Sequence, residues 1–157
     1  MAEEENVQPI LVPVDFSEHS ETALLFAAEL ANCMSCSLVV LHVIHDPGDA
    51  PGFYAGRQTD NEFQDMEDVA REMMDEFMGR MMEQNPDNPM LGGAEKMFVV
   101  GLPVTRILEA ADKVEARMVV MGSQGRTGLS HVLLGSKAEQ VVRLSTIPVT
   151  IVKAKSE

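Results

Sequence analysis

The chain has 157 residues, of which 12 are basic and 25 acidic, so its formal net charge is −13. This length suits one domain over residues 1–157, and 45% apolar residues are enough for a sizeable core, which excludes a disordered polyelectrolyte. General nucleic-acid binders and proteins that dock on anionic membranes need clustered basic residues. The acidic balance therefore argues against nucleic acid and membrane as partners.

The negative charge is concentrated in one part of the chain. Residues 1–95 contain 20 acids and 3 bases, whereas residues 96–157 contain 5 acids and 9 bases. An anionic small molecule is therefore expected to bind the C-terminal part. Residues 1–6 lack the basic and apolar regions of a signal peptide, and no apolar run is long enough to span a membrane, so we expect a cytoplasmic protein.

Apolar runs alternate with helical patterns along the chain. The run 9–14 ends at Asp15 and predicts a buried strand, and Ser17 is the predicted N-cap of a helix that reaches Asn32. The other strands are predicted at 37–44, 96–100, 117–121 and 147–152, and the other helices at 61–84, 103–112 and 135–144. Strands that are continuous apolar runs between helices predict an α/β fold, with a parallel sheet and helices on both faces.

The segment at about 46–92 is acidic and rich in methionine. A predicted loop, 46–60, precedes the amphipathic helix 61–84, which carries six methionines: Met66, Met73, Met74, Met78, Met81 and Met82. Methionines of this kind are expected to fill an irregular core, and the alternative is an adaptable surface for a partner.

Glycines and serines follow the fourth predicted strand at a defined spacing. Gly122 and Gly125 precede Gly135 and Ser136 in the pattern G-x2-G-x9-G-S. Glycines at a strand end let backbone N–H groups approach a phosphate, and a helix N-terminus favours an anion. In the loop between them, Arg126 and Thr127 are candidate phosphate contacts by position. The alternative is that these glycines only end a strand and start a helix.

Other patterns for chemistry are weaker. No G-x-G-x-x-G follows the first strand, and no P-loop lysine motif is present. Cys33 and Cys36 form a C-x-x-C after a helix rather than at its start, so we expect buried, inert thiols instead of a redox or metal site. The histidines are expected to be surface or packing residues.

In several motifs the chain resembles the universal stress protein family, and specifically its ATP-binding branch. The resemblance covers residues 7–154 except for the acidic segment. It rests on Pro13-Val14-Asp15-Phe16-Ser17, Leu41-His42-Val43, Gly101-Leu102-Pro103, Met121-Gly122-Ser123-Gln124-Gly125 with Gly135-Ser136, and Pro148-Val149-Thr150-Ile151-Val152-Lys153. It implies a Rossmann-like sheet of five parallel strands in the order 3-2-1-4-5, with ATP at its carboxyl edge.

The resemblance also implies roles for individual residues. Pro13, Val14, Asp15 and Val43 fall at positions that contact the adenosine, Met121 and Gly122 at positions near the sugar, and Gly125, Gly135 and Ser136 at positions that hold the phosphates. Asp15 has an alternative role as a capping acid for the helix that follows it. Mg²⁺ is expected to accompany the triphosphate. A homodimer through the last strand, residues 148–152, is implied as well.

The resulting hypothesis is an ATP-binding stress-response protein that acts as a nucleotide-dependent switch or sensor. We find no positioned general base and no Walker-type lysine, so hydrolysis is expected to be slow at most. The alternatives are a nucleotide-using hydrolase or adenylyl transferase on the same fold, and a nucleotide-free interaction module. Valine at Gly122 or Gly135 is expected to abolish ATP binding and leave the fold intact.

Overall fold

Five strands and four helices alternate along the residues that the structure, a computed structural model, describes: 7–45, 62–125 and 134–154. In chain order they are β1 (Ile10–Pro13), α1 (Glu18–Met34), β2 (Leu38–Ile44), α2 (Glu62–Gln84), β3 (Glu95–Val100), α3 (Pro103–Lys113), β4 (Met118–Gly122), α4 (Ser136–Leu144) and β5 (Val149–Val152). The predicted elements are all present, with ends shifted by one or two residues. Arg126, Thr127 and the loop 46–60 lie outside the described residues.

The strands form one parallel sheet in the order β3-β2-β1-β4-β5, which confirms the expected α/β fold and strand order. Alternate side chains of β1 point to opposite faces, as the period of a strand requires. Ile10 and Val12 pack with α1 and α2 on one face, and Leu11 packs with α3 and α4 on the other. Helices therefore cover both faces, as predicted.

Burial differs between the centre and the edges of the sheet. Every residue of β2 is buried, whereas Glu95 and Lys96 of β3 are exposed and β5 is only partly buried. The prediction that the first strand is buried is confirmed for Ile10, Leu11 and Val12, and β3 and β5 are less buried because each has a neighbouring strand on one side only. The central strands β1, β2 and β4 therefore contain the most buried residues of the sheet.

The sheet opens at its carboxyl edge between β1 and β4. Pairing of these strands ends at Leu11↔Val119, while β1 stays paired with β2 up to Pro13↔Leu41 and β4 with β5 up to Gly122↔Val152. At this point the chain connections leave in opposite directions, to β2 on one side and β5 on the other. Such a switch point is where open α/β sheets bind their ligands.

The acidic helix α2 packs mainly through its methionines. Met66, Met74, Met78 and Met81 are at most 2% exposed, whereas Met82 is 38% exposed. The prediction that the methionines fill the core is confirmed for these four. No helix within the described segments has the length and apolar character needed to cross a membrane.

The C-x-x-C motif lies at the end of α1. Ser35 adopts a left-handed conformation (φ 55°), and the N–H of Cys36 donates to the carbonyl of Ala31 over 2.9 Å, which ends the helix in a Schellman-type turn. This turn buries Cys36 and leaves Cys33 exposed. The prediction of a buried thiol was therefore wrong for Cys33, which lies on the solvent side of the last helical turn.

Candidate functional site

Asp15 lies just past the end of β1 and is held by the first turn of α1. Its Oδ1 accepts hydrogen bonds from the Ser17 N–H (3.0 Å) and from the Ser20 hydroxyl (2.6 Å). The Ser20 hydroxyl oxygen in turn accepts from the Asp15 N–H (2.9 Å), and Ser17 caps the helix as predicted. The capping role considered for Asp15 is thus real, but it uses one of the two carboxylate oxygens.

The second oxygen of Asp15 is directed towards the glycine loop after β4. A Cβ added to Gly125 would lie 3.0 Å from Asp15 Oδ2. Because a side chain at residue 125 would press on this oxygen, glycine lets the loop approach the carboxylate closely. Two parts of the chain that are far apart in sequence therefore meet at the switch point.

Helix α4 starts at the same place without a side-chain cap. Its N-cap is Gly135, whose N–H donates to the Ser123 carbonyl over 2.6 Å, and the first helical bond runs from Glu139 N–H to Gly135 O over 2.9 Å. The N–H groups of residues 136–138 precede that bond, so they have no acceptor inside the helix. Such a helix end, with its positive dipole, is suited to an anion.

Gly135 and the loop 123–125 pack closely. A Cβ on Gly135 would lie 3.3 Å from the Ser123 carbonyl oxygen and 4.0 Å from the Gly125 nitrogen. Ser123 is itself 5% exposed, and its N–H donates to the Val152 carbonyl over 3.0 Å. The loop is therefore anchored to β5 on one side and to the start of α4 on the other.

Gly122 has a packing role that the sequence did not indicate. A Cβ at this residue would lie 2.9 Å from both the carbonyl oxygen and the Cβ of His19 in α1. The backbone of a helix cannot yield cheaply at this distance, so only glycine fits here. The expectation that Gly122→Val leaves the fold intact was therefore wrong, and Gly122 is a poor position for probing a ligand.

His42 supports the end of β1 on the face of the sheet that carries α1 and α2. It is 1% exposed, and its Nδ1 donates to the Val14 carbonyl over 2.9 Å. Its ring stacks on Phe16 with centroids 4.4 Å apart. Phe16 adopts a left-handed backbone conformation (φ 66°), which costs a bulky residue about 1 kcal/mol. As predicted for the histidines, His42 is a packing residue.

The structure brings together most of the predicted site residues. Gly125 lies close to the Asp15 carboxylate, Gly135 lies close to the loop that contains Gly125, and Ser136 begins α4 beside them. Val43 and Met121 are buried on the face that carries α3 and α4, in the strands next to the opening. Pro13 is the last residue of β1 and Val14 follows it, whereas Arg126 and Thr127 lie outside the described residues.

Three further residues shape the site and were not predicted: Ser20, His42 and His19. The spacing of Asp15, Ser17 and Ser20 is a local signal for a hydrogen-bonded helix start and could have indicated the role of Ser20. No local signal points to the contact between His19 and Gly122, because it depends on how α1 packs on β4.

Other candidate sites are weaker. Within the described segments, no group of three or more His, Cys, Asp or Glu side chains is arranged to hold a metal ion. A surface hollow of about 300 Å³ lies between β3 and α3, where Met97, Val99, Arg106 and Glu109 are among the residues that line it. None of the predicted nucleotide residues lines this hollow, so it is separate from the switch point.

Comparison with known proteins identifies relatives over nearly the whole chain. The model of the Universal stress protein family matches residues 6–153. Universal stress protein MJ0577 of Methanocaldococcus jannaschii is 30% identical, over 94% of this chain and 95% of the relative. A solved structure of MJ0577 has a TM-score of 0.72 at 29% identity and covers 96% of this chain and 98% of its own.

Two similar solved structures contain adenine nucleotides. A universal stress protein in complex with cAMP has a TM-score of 0.59 at 27% identity, over 94% of this chain and 97% of its own. The universal stress protein of Archaeoglobus fulgidus in complex with dAMP also has a TM-score of 0.59 at 27% identity, over 92% of this chain and 96% of its own. The match to the family model, together with the fold, shows that this chain belongs to the universal stress protein family.

Proposed function

We propose that this protein binds ATP at the carboxyl edge of the sheet and acts as a nucleotide-dependent switch or sensor in a stress response. The observation that carries this proposal is the start of α4, where the N-cap Gly135 adjoins the loop 123–125 and offers the N–H groups of residues 136–138 no side-chain cap. A triphosphate would supply acceptors for these N–H donors. The cAMP and dAMP complexes of the two relatives support an adenine nucleotide as the ligand.

The proposed binding mode divides the ligand between the two sides of the opening. Pro13, Val14, Asp15 and Val43 contact the adenosine, with Asp15 as its polar contact. Met121 and Gly122 lie near the sugar. Gly125, Gly135 and Ser136 hold the phosphates, and Arg126 and Thr127 stay predicted phosphate contacts. The ordered hydrogen bonds of Asp15 with Ser17 and Ser20 hold its carboxylate ready for the ligand.

Mg²⁺ is part of the proposal as a companion of the triphosphate. Mg²⁺ sites on nucleotides usually combine one or two carboxylates with phosphate oxygens and waters, so they do not need a cage made of protein alone. The cation would lower the repulsion between the phosphates and the acidic chain. Omitting Mg²⁺ from a titration with ATP should therefore weaken binding.

We favour a switch over an efficient enzyme. Asp15 already accepts two hydrogen bonds from α1 through Oδ1, which makes it a poor general base for an attacking water. Slow hydrolysis is compatible with this arrangement. A hydrolase or an adenylyl transferase would need an acid or base beside the phosphates.

The test is to measure nucleotide in the purified protein and then its binding and turnover. Acid extraction followed by chromatography identifies any retained nucleotide, and calorimetry with ATP and Mg²⁺ gives the affinity. Retained or titratable ATP with turnover below about one per minute supports the switch. Rapid multiple turnover supports the enzyme instead. Failure to bind ATP at millimolar concentration would contradict both and leave an interaction module.

We also propose a homodimer through β5, in a cytoplasmic protein. β5 pairs with β4 on one side, its residues are only partly buried, and Leu144 at the end of α4 is 58% exposed. An edge strand next to exposed apolar groups is suited to pairing with a second copy. Light scattering on the purified chain should give twice its mass of 17.2 kDa, and Leu144→Lys should shift it towards the monomer.

A further inference from the structure

Three contacting aromatic rings, called the aromatic stack, connect α2 with the end of β1 that precedes Asp15. Phe77 of α2 is 1% exposed, and its ring centroid lies 5.5 Å from that of Phe16, with the two ring planes tilted by 58°. Phe16 in turn stacks on His42 at 4.4 Å with an interplanar angle of 28°. The path ends at the Val14 carbonyl, to which His42 Nδ1 donates.

Contacts of this stack hold the residues on both sides of Asp15 in the chain. Its preceding residue, Val14, is held through its carbonyl by His42, and its following residue, Phe16, is held through its ring by His42 and Phe77. Phe16 keeps a left-handed backbone (φ 66°) that a bulky residue rarely adopts. A conformation of this kind persists only where surrounding contacts hold it, and the stack provides them.

Phe77 is itself fixed to the rest of the molecule. The guanidinium of Arg80, one turn further along α2, lies 5.7 Å from the Phe77 ring centroid and donates to Glu21 of α1 over 2.6 Å. Glu21 belongs to the first turn of the same helix that begins after Asp15. The stack and the ion pair together tie α2 to both sides of the Asp15 turn.

We propose that Phe77 is a positioning residue for the nucleotide site, which acts through Phe16 and His42 on the backbone of Asp15. The inference rests on the proposed function, because it assigns to α2 a role in binding the adenosine. Phe77 does not have to touch the ligand. It holds the left-handed turn at Phe16, and this turn sets the direction of the Asp15 carboxylate.

The test compares two mild substitutions in the core of the same helix. Phe77→Met removes the ring but keeps apolar volume, and Met74→Leu is its control, because Met74 is 0% exposed in the same core cluster. The unchanged protein is titrated with ATP and Mg²⁺ first. We expect Phe77→Met to weaken ATP binding about fivefold and Met74→Leu to change it less than about twofold.

A second readout follows the stack in the absence of nucleotide. NMR of the histidine side chains should show that Phe77→Met shifts the His42 ring signals and speeds exchange of the Nδ1 proton, whereas Met74→Leu leaves both unchanged. Equal ATP affinity for Phe77→Met and the unchanged protein overturns the inference. An equal loss in Met74→Leu, or a loss of affinity without a change at His42, overturns it as well.

The outcome also separates this inference from the proposed function. If the unchanged protein does not bind ATP, the proposed function fails and the positioning role fails with it. If the unchanged protein binds ATP and Phe77→Met binds equally well, only the positioning role of Phe77 fails.

Discussion

The N-termini of α1 and α4 lie at the same edge of the sheet and are finished in opposite ways. At α1, Ser17 accepts from the Ser20 N–H, and Asp15 accepts from the Ser17 N–H. At α4, the N-cap Gly135 has no side chain that could cap the N–H groups of residues 136–138. The N-cap residue of the first helix thus provides a side-chain acceptor for one of the first N–H groups, whereas the N-cap residue of the second helix provides none.

The difference also favours the start of α4 over that of α3 as the proposed site. α3 likewise starts without a side-chain cap, at Leu102, but Pro103 at its first position has no N–H to offer. Of the helix starts that the structure describes at α1, α3 and α4, only that of α4 combines a missing side-chain cap with the close loop 123–125 and the neighbouring carboxylate of Asp15. The missing cap is therefore informative only together with these approaches.

We expect the largest effect from a substitution that disturbs the packing of α1 on β4. Gly122→Ala should lower the free energy of unfolding by about 2 kcal/mol, because its Cβ would lie 2.9 Å from the His19 carbonyl oxygen. The control is Gly79→Ala in α2, which has open space around it and should gain up to about 1 kcal/mol. Urea unfolding measures both, and equal stabilities would contradict the packing role of Gly122.

Removing one N–H donor directly tests the start of α4, which has no side-chain cap and is called the open end. Ser136→Pro deletes an N–H group at the first helical position, where proline is favoured, and the backbone of Gly135 (φ −64°, ψ 154°) suits a residue before proline. We expect ATP affinity to fall about tenfold at nearly unchanged thermal stability, because a hydrogen bond to a charged phosphate is lost. Calorimetry measures the affinity.

The matched control keeps the backbone donor. Ser136→Ala removes only the hydroxyl of an exposed residue, so its loss of ATP affinity should be smaller than that of Ser136→Pro. If proline and alanine have the same effect, the backbone N–H does not contact the phosphates.

Substitutions at the start of α1, which Ser17 caps and which is called the closed end, should change mainly the stability of the protein. Ser20 is 5% exposed, and Ser20→Ala removes both the acceptor of the half-buried Asp15 N–H and a hydroxyl donor to the Asp15 carboxylate. We expect a loss of about 1 to 2 kcal/mol in the free energy of unfolding. Thr22→Ala removes an exposed hydroxyl bond to Glu18 in the same helix and should cost less than about 0.5 kcal/mol. Similar losses in both variants would contradict the role assigned to Ser20.

The acid in the first turn of α4 should have the smallest effect. Glu139 is paired with Arg143 at 2.7 Å, with both side chains more than half exposed. Glu139→Gln removes negative charge near the proposed phosphates and should raise ATP affinity about twofold at low salt. The gain should vanish at high salt, and a gain that persists there would show that the effect is not electrostatic.

Local signals in the sequence were enough for the element order, the Ser17 cap and the start of α4 to within one residue. Each depends on residues that are neighbours in the chain. Three features depend on contacts between distant segments: the lack of room for a side chain at Gly122, the direction of Asp15 Oδ2, and the contacts among Phe77, Phe16 and His42. Periodicity and spacing carry no record of such contacts. The exposed Cys33 was missed because the turn at Ser35 separates two cysteines that are close in sequence.

The most direct test of the open end at α4 is the amide NMR spectrum of the full chain, recorded while ATP and Mg²⁺ are added. Donors that bind a phosphate shift strongly, so the account predicts the largest changes at residues 136–138 and Gly125, with small changes at Ser17 and Ser20 in the closed turn. Shifts confined to the hollow between β3 and α3, with residues 136–138 unmoved, would contradict it.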